Sequence, residues 1–271
     1  MGNSYPDRYN SSGVWKINEI SKNRQTNKNF PRGHSRMVQM GGQTPTYVNT
    51  MSYITMETLG NASDFGDMST ATIEPAAVGS ATRGIFAGGR TGSAIDNDVI
   101  EFFTIMTTGN AADFGNLSAG RQRAASHNND TRGVFGGGAT PTIQNVIDFI
   151  TIASLGNATD FGNLTAVKFS AAGAGSDTRG IFLGGGPSYK ATIDFIEMSS
   201  TGSAADFGDL TRGCTPTGNG TSNRIKAITM GGEISGGADN IIEFINIAST
   251  GNGTDFGDIT VARRSCSGLS A

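Results

Sequence analysis

The triplet Asp-Phe-Gly occurs five times, beginning at Asp64, Asp113, Asp160, Asp206 and Asp255. In a protein kinase such an aspartate holds magnesium, but that chemistry also needs a glycine-rich phosphate loop, a strand lysine and a His-Arg-Asp catalytic loop. None accompanies these triplets. The acid pairs Asp64 and Asp67, Asp206 and Asp209, and Asp255 and Asp258 suggest calcium, yet the matching positions in two copies are Asn116 and Asn163, and no stretch has EF-hand spacing. Aspartate as a turn cap is the simpler role. Cys214, Cys266, His34 and His127 are the whole stock of thiol and imidazole ligands, without a CxxC spacing, and the thiols read as small, half-buried packing residues. No Ser, His and Asp grouping or isolated carboxylate pair stands apart from the repeated background. The expectation is a chain with no catalytic residues, no metal site and no cofactor.

A second set of charges repeats. Arg36, Arg83, Arg132, Arg179 and Lys226 each stand five positions before a glycine pair, and Glu101, Asp148, Asp194 and Glu243 sit in apolar segments further on. Antiparallel pairing within a repeat would set each base near the opposite end of the acid's strand, so their ion pairs are expected to cross between repeats.

The elements that position these residues follow from the repeat itself. The triplets are 49, 47, 46 and 49 residues apart, a period that signals a propeller or solenoid. A glycine pair closes MVQMGG (Met37 to Gly42), GIFAGG (Gly84 to Gly89), GVFGGG (Gly133 to Gly138), GIFLGG (Gly180 to Gly185) and AITMGG (Ala227 to Gly232). Between the landmarks lie β-branched and aromatic runs: VIEFFTI from Val99, VIDFITI from Val146, TIDFIEM from Thr192, IIEFINI from Ile241 and a weaker MSYITM from Met51. Each unit thus reads as four short strands: a small-residue strand such as AASHN from Ala124, the strand ending in the glycine pair, the VIDFITI strand and an outer DFGNL strand. Four antiparallel strands per 47 residues make a propeller blade, whose sheet must bury both faces against its neighbours.

The first repeat begins at its second strand, and VARRSCSGLSA after the fifth DFG aligns with a first strand. The expected fold is therefore all-β, a five-bladed propeller over residues 36–271 closed by the C-terminal strand, which removes its open edges. Small residues at Ala76, Ala77, Ala124, Ala125, Ala171, Ala172, Cys266 and Ser267 suit the narrow axis of such a ring.

Composition sets outer bounds. Forty of 271 residues are glycine, the net charge is −3, and 20 basic and 23 acidic residues are dispersed along the chain. That leaves no basic face for nucleic acid, and no window is apolar enough for a membrane helix. The N-terminal MGNSYPDRYNSSG lacks the basic and apolar segments of a secretory signal. The sequons at Asn61, Asn157 and Asn252 arise from the repeat and carry no expectation of glycosylation.

The order of glycine pair, IDFI strand and aromatic-x-x-Leu outer strand resembles kelch repeats, with Phe65, Phe114, Phe161, Phe207 and Phe256 where that family often has tryptophan; kelch rings usually hold six or seven blades. The wording IDFITIASLGNATDFGNLT is similar to repeats in structural proteins of tailed bacteriophages, and GVWKINEISKNRQTNKNFP resembles a short segment that accompanies them. That resemblance implies a virion protein whose partners are other virion proteins, with a host-surface glycan or protein as a further ligand and a homo-oligomer compatible with either. A lectin-like propeller is the alternative it leaves.

Residues 1–35 lie outside the repeat and hold Trp15 beside Ile17 and Ile20, a cluster suited to a docking arm. Connections after the glycine pairs vary while the turn before DFG barely changes, so recognition is expected on the variable loops, at Tyr47, Arg90, Asp96, Asp98, Gln144, Tyr189, Lys190 and Glu233.

Overall fold

The computed structural model describes residues 36–92, 97–218 and 220–264, all in strands, turns and loops. The five sheets expected from the repeat are present, and the protein is a five-bladed β-propeller. Blade two runs Ala76–Gly79, Arg83–Ala87, Val99–Thr104 and Ala112–Asn116, antiparallel throughout and in that spatial order from axis to rim. Blades three, four and five repeat this with inner strands Ala125–Asn128, Ala172–Gly175 and Gly220–Ser222. Blade one shows Arg36–Met40, Thr50–Thr55 and Ser63–Asp67. The closing strand expected for its innermost place falls on residues 265–271, with Cys266 and Ser267, which lie outside the described residues, as do residues 1–35 with Trp15, Ile17 and Ile20. One part of the expected closing segment belongs elsewhere: the outer strand of blade five runs Thr254–Arg263 and pairs Arg263 with Asp239, so Val261 to Arg263 extend blade five.

The DFG triplet does three separate jobs. The aspartate accepts the main-chain N–H two residues on, as Asp113 does from Gly115 at 3.0 Å, which holds the bulge where the outer strand slips register. The phenylalanine is buried between blades and meets the third-strand aromatic of its own blade edge to face, Phe149 with Phe161 at 5.8 Å. The glycine admits the next blade: a Cβ at Gly115 would overlap the carbonyl of Gly156, and its φ of 145° suits no side chain. The neighbouring blade then closes the contact, Gly156 donating to the Phe114 carbonyl at 2.8 Å and Asn157 accepting from the Asn116 N–H at 3.0 Å. The sequon asparagines Asn157 and Asn252 are thus joints between blades.

The first four DFG phenylalanines, Phe65, Phe114, Phe161 and Phe207, are 2%, 3%, 3% and 2% exposed, whereas Phe256 of blade five is 59% exposed. A Cβ placed on Gly257 beside it would meet nothing among the described residues within 4 Å, unlike one on Gly66, Gly115, Gly162 or Gly208. Met37, Ile54 and Met56 of blade one are also exposed. Four inter-blade junctions are filled by the described residues; the fifth is not.

Candidate functional site

The repeated charges work differently from the sequence expectation. Each base of the Arg36 series lies over the third-strand ring of its own blade: Arg36 on Tyr53, Arg83 on Phe102, Arg132 on Phe149, Arg179 on Phe195 and Lys226 on Phe244, at 3.7 to 4.9 Å. The first four also donate to a carbonyl of the following blade, Arg83 to Ile152 at 2.9 Å and Arg132 to Met198 at 2.8 Å among them. These bonds cross between blades, but to carbonyls; the ion pair of the series, Arg179 with Glu197 at 2.9 Å, joins adjacent strands of blade four, against the expectation that such pairs cross.

The buried acids take other partners, from the crossovers that carry the chain from one rim to the next axis strand. Asp148 receives Arg121 and the Ser118 N–H and hydroxyl; Asp194 receives Lys168 and Thr165; Glu243 receives Arg212 and the Thr211 N–H; Glu101 receives the Ser69 N–H. Burial pulls the Arg121 and Lys168 pKa values down and the neighbouring aspartate opposes it. The same crossover residues bind the glycine pairs through their carbonyls, Gly89 donating to Arg121 and Gly138 to Lys168, each at 2.8 Å. These groups hold blades together. Cys214, at the equivalent place in the next crossover, is wholly buried rather than half-buried, and burial pushes its thiol up to about 12. It is chemically quiet.

The same crossovers end in a feature with no obvious packing role. Glu74, Arg123, Ser170 and Thr217 occupy equivalent positions just before the inner strands, and all four have left-handed backbones, φ 56°, 58°, 53° and 54°. For non-glycine residues this conformation is disfavoured and is kept only where the surroundings enforce it. Here the enforcement is a chain of main-chain hydrogen bonds around the axis: Arg123 donates to Glu74, Ser170 to Arg123 and Thr217 to Ser170, at 3.2, 3.0 and 2.9 Å. The side chains released from the backbone contacts gather at one mouth of the propeller. Arg123 grips Glu74 through Nε and Nη2 at 2.7 and 2.9 Å, which raises the already high Arg123 pKa.

The variable connections after the glycine pairs reach this mouth, because they pair with the crossovers: Thr72–Ile73 with Arg90–Thr91, Gln122 with Ala139, Phe169 with Gly186 and Thr215 with Glu233. A pocket of about 380 Å³ opens there, with Glu74, Arg123, Phe169, Ser170, Tyr189 and Glu233 in its wall. Tyr189 and Glu233, both expected as contacts, come together in it, the phenol donating to Oε1 at 3.5 Å. Tyr47, Arg90, Asp98, Gln144 and Lys190 do not line it. Tyr47 pairs with Gln43 in a short hairpin that turns at Pro45, and the main chains of Asp98, Gln144 and Lys190 serve the loops, as where Lys190 donates to Gly185 at 2.7 Å. Asp96 lies outside the described residues. The left-handed quartet escaped sequence reading because no glycine marks it; its signal is position, immediately ahead of the Pro75-Ala76, Ala124-Ala125 and Ala171-Ala172 steps.

Among the described residues no group of three metal-ligating side chains occurs. Fold and site together define a β-propeller that carries chemically different side chains on one repeated backbone at its axial mouth. No protein-family model and no curated protein matches the chain.

Proposed function

We propose that this propeller is a non-enzymatic structural and recognition module of a tailed-phage virion, anchored to other virion proteins through residues 1–35 and presenting its axial mouth outward. The observation that carries the recognition half is a division of labour among the repeats. The features that recur join blades: the DFG glycine lies against the next blade, the stacked arginines donate to its carbonyls, and buried acids hold crossover bases. The chemical differences collect where four equivalent left-handed positions hold Glu74, Arg123, Ser170 and Thr217. A constant scaffold with a varied rim is the arrangement recognition proteins use. The virion half rests on the resemblance of the repeats to phage structural proteins and on the apolar Trp15, Ile17 and Ile20 in the arm.

Mass spectrometry and cryo-electron microscopy of purified particles test it. The expected result is the chain at stoichiometric copy number with residues 1–35 buried in neighbouring subunits. A protein confined to the soluble lysate and absent from particles would overturn the virion reading.

A further inference from the structure

We infer that the axial pocket binds a single neutral sugar ring, an inference that deepens the recognition half of the proposed function and does not depend on the virion half. The wall chemistry selects the ligand class. Its charges are mutually satisfied: Glu74 holds Arg123, and Glu233 holds Arg264 at 2.9 Å and the Tyr189 hydroxyl. A charged ligand would gain one partner by displacing another, whereas a neutral one leaves both pairs intact.

What the pairs still offer is directional. The carboxylates keep lone pairs for hydroxyl donors, and Arg123 Nη1 has no acceptor among the described residues. Thr215 and Thr217 spend their hydroxyl protons on main-chain carbonyls at 3.4 and 3.3 Å, which leaves their oxygens as acceptors. Phe169, whose ring covers Gly186, and Tyr189 add apolar faces beside these groups. Closely set donors and acceptors beside aromatic faces match a pyranose, with hydroxyls around its edge and C–H groups on its faces. The volume of about 380 Å³ lies at the small end of ligand pockets, which fits one ring better than an extended chain.

The strained quartet supports a ligand role on separate grounds. Left-handed backbones at Glu74, Arg123, Ser170 and Thr217 fix where these side chains start, so the wall is set before a ligand arrives.

The test uses the full chain with glucose, galactose, mannose and N-acetylglucosamine as probes, and glucuronate and glucosamine as charged comparators, read by saturation-transfer NMR and titration calorimetry. At least one neutral sugar is expected to bind more tightly than either charged comparator. Tyr189→Ala and Glu74→Ala should weaken it by about tenfold or more, with Arg90→Ala, outside the pocket, unchanged. Tyr189→Phe removes only a hydroxyl and should still weaken binding several-fold, which keeps the test open should the alanine variants misfold. No binding of any neutral probe, tighter binding of a charged one, or binding unaffected by Tyr189 and Glu74 overturns the inference. Each result is independent of whether the chain is found in particles.

Discussion

The Lys168 ammonium stands 3.1 Å from the Asp194 carboxylate with both side chains wholly buried, one on the crossover leaving blade three and the other on the third strand of blade four. Lys168 also donates to the Thr192 carbonyl at 2.8 Å, and its own carbonyl accepts from Gly138. One residue therefore ties the end of one blade to the middle of the next.

Removing either partner leaves an uncompensated charge in a buried seam. Lys168→Met is expected to cost about 3–5 kcal/mol in urea unfolding. The double variant Lys168→Met with Asp194→Leu should recover most of that loss, since a buried pair replaced by apolar groups is often neutral. A double variant as unstable as the single one would show that shape, rather than charge, dominates the seam.

This clasp marks the limit of what could be read from the chain. Blade number, strand phase and the turn-capping aspartate of DFG were legible because they recur at one spacing. The clasp bases were not: Arg121 and Lys168 stand eight residues after their DFG aspartates, Arg212 six after its own, and blade one has Thr72 at the eighth place. The role is kept by geometry while the sequence position moves. The Arg36 series misled for the opposite reason, since its strict spacing advertised ion pairs across blades, whereas each base lies over the aromatic ring on the adjoining strand, the first four reach a carbonyl of the following blade, and the ion pair of Arg179 is with Glu197 of its own blade. The left-handed quartet was hidden because Glu, Arg, Ser and Thr are not residues that announce a positive φ.

Gly115 and Gly257 separate backbone strain from blade contact. Both have positive φ, 145° and 136°, so alanine strains either by about 1–3 kcal/mol. Only at Gly115 would the new methyl also overlap the next blade, at Gly156. Gly115→Ala should therefore be less stable than Gly257→Ala by about 1–3 kcal/mol further, measured by chemical denaturation. Equal losses would mean that blade three yields freely to the added atom.

His127 supplies a pH dependence with a definite sign. It lies on the inner strand of blade three with Nε2 3.0 Å from the Ser176 carbonyl, and burial lowers its pKa below the ordinary 6.5 despite that carbonyl and Asp177. The unfolded chain then takes up a proton near pH 6.5 that the folded chain refuses. Stability is full above that pH and falls as pH drops toward the depressed folded value. His127→Gln keeps a donor and removes the titration, so thermal unfolding of this variant should lose less stability than the parent between about pH 7 and 5. Parallel pH curves would assign the acid sensitivity to the carboxylates instead.

Phe161 and Phe256 are the same residue of the same repeat in two surroundings, 3% and 59% exposed. Phe161 packs with Ile196 and Met198 of blade four, and Phe161→Ala should cost about 3–5 kcal/mol. Phe256 keeps its edge-to-face contact with Phe244 at 6.0 Å but has no blade over it among the described residues, so Phe256→Ala should cost no more than about 1 kcal/mol. The difference between the two losses measures how far the fifth junction is filled in solution. Blade one carries Ser52 where the other blades have Glu101, Asp148, Asp194 and Glu243, so even a filled junction would lack the buried acid that clasps the rest. A Phe256→Ala loss as large as that of Phe161→Ala would therefore show that apolar packing alone closes the ring.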